Sequence, residues 1–219
     1  MNLLLPPLYV ILDAALLTAS ELEVSRKLMD AGVRLFQYRN KLGSSRELLE
    51  TSSLLAAELV SRGATFFVND RPDVAYLSGA SGVHVGQDDL PVRESQAVLG
   101  PGKLVGVSAH NLEQFRAAAA TDADYIALGP VFATDSKANP DPVIGTAMIR
   151  EARKLTAKPI VAIGGINLER TREVMEVGAN SVAVISDILR APDPAKRARQ
   201  FLDLLESLAR PEKNGTAKQ

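Results

Sequence analysis

Eight short apolar runs, each followed by a helical pattern, predict an α/β chain that folds as a closed (β/α)8 barrel, the TIM barrel, in one domain. Two further observations point the same way. The chain has 219 residues, at the compact end for eight such units. Polar residues and glycines gather after strand after strand, while the turns before strands, such as Arg62-Gly63-Ala64 and Val177-Gly178-Ala179, are plain. An open doubly wound sheet is the runner-up, but no glycine-rich dinucleotide turn follows the first strand.

The elements follow in order. Leu8–Leu12 is a β-like run ending at Asp13, and Thr18-Ala-Ser20-Glu21 opens a helix that runs to about Ala31 and stops at Gly32. Val33–Tyr38 is the second strand. Ser44 or Ser45 caps a helix over Arg46–Ser61, with Leu48, Leu49, Leu55, Ala56 and Leu59 on one side. Thr65–Val68, Gly82–Val85, Leu104–Val107, Tyr125–Leu128, Ile160–Ile163 and Ser181–Ile185 are the remaining strands. Between them lie helices over Pro72–Leu77, Pro91–Leu99, Leu112–Ala120, Gly145–Leu155 and Leu168–Val177. Asn111 and Asn167 are the expected caps of two of these. A last helical region reaches Ala209, interrupted near Pro192–Pro194. The barrel domain is expected over residues 1–210, with a polar, disordered tail over 211–219.

Composition narrows the chemistry. Net charge is −1, from 25 basic and 26 acidic residues, so neither nucleic acid nor an anionic membrane is an expected partner. The chain has no Cys, which excludes disulfides and thiolate catalysis, and its two His exclude a multi-histidine metal site. No run of about 18 apolar residues exists to span a membrane, and Met1–Leu5 is too short for a signal peptide. A cytoplasmic protein is the expectation.

The strand ends carry the functional signal. Gln37, Arg39 and Lys41 stand at two-residue spacing, so an extended chain projects an amide and two cations to one side. Asn69-Asp70, Gly86-Gln87-Asp88-Asp89, Ser108, Thr134 with Ser136-Lys137, Gly164-Gly165 and Ser186 follow later strands. In a barrel all of these meet on one face. Three cations with two isolated carboxylates, Asp70 and Asp89, suit a diphosphate with Mg2+. Helix capping is the bland alternative for both carboxylates, and spacing alone leaves open whether Asp88 or Asp89 faces the site. Gly164-Gly165 and Ser186 match the usual barrel position for a phosphate held by main-chain N–H groups. His84 reads as a satisfied core histidine before a catalytic base. The polar loop over Thr134–Pro142 is either a lid or a static surface loop.

Taken together, these motifs resemble the thiamine-phosphate synthase (thiamine-phosphate pyrophosphorylase) family. The matching runs are Gln37-Tyr-Arg-Asn-Lys41, Val68-Asn-Asp-Arg71, Gly82-Val-His-Val-Gly-Gln-Asp-Asp89, Val105-Gly-Val-Ser108, Gly129-Pro-Val-Phe-Ala-Thr134 with Ser136-Lys137, Ala162-Ile-Gly-Gly-Ile166 and Val182-Ala-Val-Ile-Ser186. They cover nearly the whole barrel. The resemblance implies a Mg2+-assisted, dissociative transfer that joins hydroxymethylpyrimidine diphosphate to thiazole phosphate and releases pyrophosphate. It further implies that Gln37, Arg39, Lys41, Asn69 and Lys137 bind the pyrimidine diphosphate, with Tyr38 and Asn40 in the same motif. Asp70 and Asp89 would hold Mg2+, which selects the second carboxylate of the pair, and Ser108 would lie by the pyrimidine. Thr134, Asp135 and Ser136, with Gly165, Ile185 and Ser186, would hold the thiazole phosphate. Arg39, Lys41, Ser108 and Lys137 carry the catalytic expectation. A homo-oligomer is the quaternary state that the resemblance implies.

Two positions depart from the family pattern: Asn40, where an acidic residue is common, and Ser136, where a second Thr is common. Two other functions stay open at this point. One is a thiazole-phosphate isomerase on the same barrel, which has no diphosphate to hold. The other is a silent sensor that binds both ligands without reaction.

Overall fold

The computed structural model describes residues 4–134 and 141–210. Strand and helix alternate through β1 (Leu8–Asp13), α1 (Glu21–Asp30), β2 (Leu35–Arg39), α2 (Ser45–Ser61), β3 (Thr65–Asn69), α3 (Pro72–Ser78), β4 (Gly82–Val85) and α4 (Val92–Leu99). They continue through β5 (Leu104–Ala109), α5 (Leu112–Ala119), β6 (Tyr125–Leu128), α6 (Gly145–Arg153), β7 (Ile160–Ile163) and α7 (Leu168–Glu176). The chain ends in β8 (Ser181–Val184), the short α8 (Ser186–Leu189) and α9 (Pro194–Ala209). All strand pairs are parallel, and β8 pairs with β1, so the sheet closes as the (β/α)8 barrel that the alternation predicts. The expected tail over 211–219 lies outside the described residues. No described helix is long and apolar enough to cross a membrane.

Each strand is buried on both faces, as parallel strands under helices must be. Alternation sorts the side chains. On β2, Phe36 and Tyr38 turn outward into the large apolar layer between strands and helices, while Leu35 joins the separate core inside the barrel. That inner core holds three rings, Tyr9, Phe67 and Tyr125, together with the small residues Ala127 and Ala183. The ring centroids lie 5.3–6.0 Å apart. Rings fill the lower barrel. Small residues above them leave room, and a cavity forms over the ring layer.

Local chemistry sets the helix starts. Ser44 begins α2 with a capping box: its hydroxyl accepts from the N–H of Glu47, whose carboxylate accepts from the N–H of Ser44. Such a cap stabilises a helix by about 0.5–2 kcal/mol. Ser20, Asn111, Asn167 and Asp193 cap α1, α5, α7 and α9 more simply, each accepting from one main-chain N–H. Several boundaries differ from the expected ones by a residue or two, and three of them have a visible reason. Val33 stands before β2 because its N–H is taken by Leu28 at the end of α1, 3.0 Å away. β5 continues to Ala109, which still pairs with Leu128, so Ser108 sits within the strand. β8 stops at Val184 because Ile185 turns out of the extended region and starts α8.

Candidate active site

A cavity of about 540 Å3 opens at the carboxyl ends of the strands. It takes residues from every strand or from the loop that follows it. Of the expected site residues, Gln37, Arg39, Lys41, Asn69, Asp70, Asp89, Ser108, Thr134, Gly165, Ile185 and Ser186 all line it. Asp135, Ser136 and Lys137 lie outside the described residues.

The β2–β4 side carries charge. Gln37 and Arg39 point inward from β2, and Lys41 follows just past the strand. The guanidinium of Arg39 donates to Asp13 at 2.6 Å. Asp13, only 4 % exposed, also accepts from the N–H of Ala15 at 3.0 Å. The buried carboxylate thus fixes the arginine and leaves its remaining donors for the cavity. Lys41 donates to Asp70. Asp70 has φ +63°, the sole non-glycine in the left-handed region among the described residues. That conformation costs on the order of 1–3 kcal/mol and marks a position held by its surroundings. Its N–H donates to the carbonyl of His84 at 2.8 Å, which ties the turn to β4.

Neither carboxylate is a helix cap. The N-cap positions of α3 and α4 are Arg71 and Pro91, and neither makes a side-chain cap. Asp89 instead folds back to accept from the N–H of Gly86 at 2.7 Å. Burial pushes the Asp89 carboxyl above the usual range; the Gly86 N–H offsets part of this, and the neighbouring Asp70 adds to it. Asp88 also borders the cavity.

Tyr38 and Asn40, expected in the binding set, do not border the cavity. Strand alternation turns Tyr38 outward, where its hydroxyl donates to Glu21 at 3.1 Å. The Asn40 carbonyl accepts from the N–H groups of Leu42 and Gly43 at 3.2 and 2.8 Å. Asn40 therefore shapes the turn that carries Lys41.

The β6–β8 side is built from main chain. Gly164 and Gly165 have φ +94° and +63°. A Cβ on Gly165 would lie 2.4 Å from the carbonyl oxygen of Ala133, so only glycine fits there. Arg170 clamps the turn: it donates to the Gly165 carbonyl at 2.7 Å and lies over the Phe132 ring at 4.6 Å. His110 donates through Nδ1 to the Gly129 carbonyl at 2.7 Å. Ile185 and Ser186 complete this side.

Residues 8–188 match the model of the family described as thiamine monophosphate synthase. The chain belongs to this family. The family's thiamine-phosphate synthase from Koribacter versatilis is 48% identical over 211 residues, covering 94% of this chain and 99% of that one. The one from Shouchella clausii is 43% identical over 184 residues, 84% of this chain and 88% of that one. A solved thiamine phosphate pyrophosphorylase from Pyrococcus furiosus superposes with a TM-score of 0.85 at 34% identity, over 93% of this chain and 97% of that one. The chain is thus an enzyme of the transferase class, built on the barrel that its relatives share.

Within this synthase-family barrel, three residues beside the site escape a reading by motif. Asp13 passes for an ordinary strand end, and Tyr9 and Tyr125 pass for core. Only the structure shows that they meet polar partners. His84 is buried, as a core histidine should be, yet it also borders the cavity with both ring nitrogens bonded.

Proposed function

We propose that this chain joins 4-amino-2-methyl-5-(diphosphooxymethyl)pyrimidine to thiazole phosphate, giving thiamine phosphate and pyrophosphate. One observation carries the reading: Arg39, Lys41, Asp70 and Asp89 share a single cavity with the glycine turn Gly164-Gly165 and with Ser186. A cavity of about 540 Å3 falls in the range of small-molecule sites. A diphosphate suits the charged side, and a smaller phosphate suits the main-chain side.

In this reading Arg39 and Lys41 hold the diphosphate, with Lys137 assigned to it from the sequence. Gln37, Asn69 and Ser108 hold the pyrimidine. Gly165, Ile185, Ser186 and Thr134 hold the thiazole phosphate, with Asp135 and Ser136 assigned from the sequence. The bond between the pyrimidine methylene carbon and the diphosphate oxygen breaks, and its electron pair leaves with the diphosphate. The thiazole nitrogen supplies the pair for the new C–N bond. No protein nucleophile is needed, in keeping with a chain without Cys. The fixed cations meet charge as it grows on the leaving group, the effect that usually dominates such catalysis.

The residues fit a magnesium ion. Asp70 stands close enough to Asp89 to disfavour ionisation of the Asp89 carboxyl, a repulsion that a cation relieves. The described residues contain no cluster of three His, Cys, Asp or Glu, and Mg2+ is typically held by one or two carboxylates plus substrate phosphates. Bound by Asp70 and Asp89, Mg2+ would supply positive charge to the leaving diphosphate.

The test mixes both substrates with the purified protein, with and without Mg2+, and follows thiamine phosphate and pyrophosphate together. Both should appear in equal amounts with Mg2+. Binding of both substrates without any product would end the reading.

A further inference from the structure

We infer that Tyr125, acting through His84, and Tyr9, acting on Gln37, are positioning residues that fix which hydrogen bonds the cavity floor offers, a donor at Ser108 and an acceptor at Gln37. The substrate named below rests on the synthase reading; the proton arrangement itself does not.

Five side chains form one continuous chain under the cavity. Gln37 Nε2 donates to the Tyr9 hydroxyl at 2.9 Å. The Tyr9 and Tyr125 hydroxyls are 3.0 Å apart. Tyr125 meets Nδ1 of His84 at 2.8 Å, and Nε2 of His84 meets the Ser108 hydroxyl at 2.8 Å. Packing holds the middle of the chain still. The Tyr125 and His84 rings stack at 22°, and Phe67 packs edge-on against Tyr125. Gly106 makes room for this arrangement: a Cβ there would lie 2.1 Å from the Tyr125 ring.

Counting protons gives the chain a direction. Both tyrosines are fully buried, and burial pushes both phenols far above their usual range, so each keeps its single proton. Tyr9 already accepts from Gln37, and among the described residues Tyr125 is its other partner. If Tyr125 donated to Tyr9, the Tyr9 proton would have no acceptor in the core, a costly outcome. Tyr9 therefore donates to Tyr125, and Tyr125 donates to Nδ1 of His84. The imidazole proton then sits on Nε2 and goes to Ser108. The Ser108 hydroxyl has no other partner among the described residues, so its own proton is directed into the cavity.

The far end is set in the same way. Gln37 is 2 % exposed, yet its amide oxygen is not among the sealed, unpartnered side-chain atoms of the described residues, which are Ser52 Oγ and Ser181 Oγ. It opens onto the cavity as an acceptor. One acceptor and one donor match an aminopyrimidine edge, where an amino group stands beside a ring nitrogen. They oppose the 4-oxo analogue, whose carbonyl and ring N–H reverse the pattern. A site built on fixed hydrogen bonds rejects such an analogue strongly.

Two measurements test this. The first is 15N NMR of the imidazoles in the unliganded enzyme, where there are only two histidines and His84→Gln assigns the signals. His84 should carry its proton on Nε2. Tyr125→Phe should mix the two tautomers. Tyr9→Phe, a change of equal size, should not, because the Tyr125 proton still has only Nδ1 to go to. The second is kcat/KM for the amino and 4-oxo pyrimidine diphosphates. The wild type should prefer the amino form by about a hundredfold or more, and Tyr125→Phe should cut that ratio by about tenfold. A proton on Nδ1 in the wild type overturns the inference. So does a Tyr125→Phe enzyme that loses activity equally on both substrates. A wild type that turns over neither substrate sinks the synthase reading and leaves the tautomer measurement to judge the chain.

Discussion

Around β2 to β4 the cavity mouth is made of ionised side chains, whereas around β6 to β8 its described residues are chiefly glycines and main chain, with Thr134, Asp141 and Ser186 beside them. The first side is held by pairing: Arg39 by Asp13, Lys41 by Asp70, and Asp89 by a main-chain N–H. The second is held by close approach, with Gly165 against Ala133 and Arg170 gripping the carbonyl. Substitutions on the charged side should therefore act mainly on rate. Those on the main-chain side should act on shape, and so on affinity and stability together.

The largest expected effect is on the charged side. Lys41→Ala or Asp70→Ala should lower turnover about a hundredfold or more, the scale of a lost electrostatic stabiliser. The thermal melt of Lys41→Ala should stay close to wild type, since Lys41 is half exposed. A Lys41→Ala enzyme that melts early and turns over normally would reverse the comparison. Next comes Gly165→Ala. With φ +63° and a carbonyl 2.4 Å away, it should lose more than about 1 kcal/mol of stability. Its KM for thiazole phosphate should rise about tenfold, with KM for the pyrimidine diphosphate nearly unchanged. Equal rises for both substrates would mean that the two sides are not separate grips.

The smallest effect sharpens the contrast from within the charged side. The folded Asp89 carboxyl is harder to ionise than the unfolded one, chiefly through burial. Between the ordinary Asp value and the raised one, the folded protein binds more protons, so stability falls as pH rises through that window. Asp89→Asn should therefore raise the Tm of the metal-free protein at neutral pH by on the order of 2 °C. The gain should vanish below the ordinary Asp range. Melts across pH, in chelator, would check this, and a gain that persists in acid would point to a different cause.

The barrel was legible because period and punctuation agreed: short apolar runs, caps such as Ser44 and Asn167, and stops such as Gly32. The inward set Gln37, Arg39 and Lys41 was equally legible, because a period of two needs no tertiary knowledge. The same rule turns Tyr38 away from the cavity, into the outer apolar layer. Asp13 was hidden for another reason. A lone carboxylate at a strand end has many ordinary uses, and its partner Arg39 is 26 residues away. Tyr9 and Tyr125 are 116 residues apart, and an aromatic residue in a strand reads as core until its hydroxyl is seen to meet another.

Gly106 and Tyr125 face each other across neighbouring strands with no space for a methyl group between them. Anyone reshaping this pocket for a different heterocycle must treat the two sites as one variable. A library that randomises position 106 alone would spend nearly all of its members on clashes. One that draws both positions together, pairing a larger residue at 106 with a smaller one at 125, would reach floors that single steps cannot.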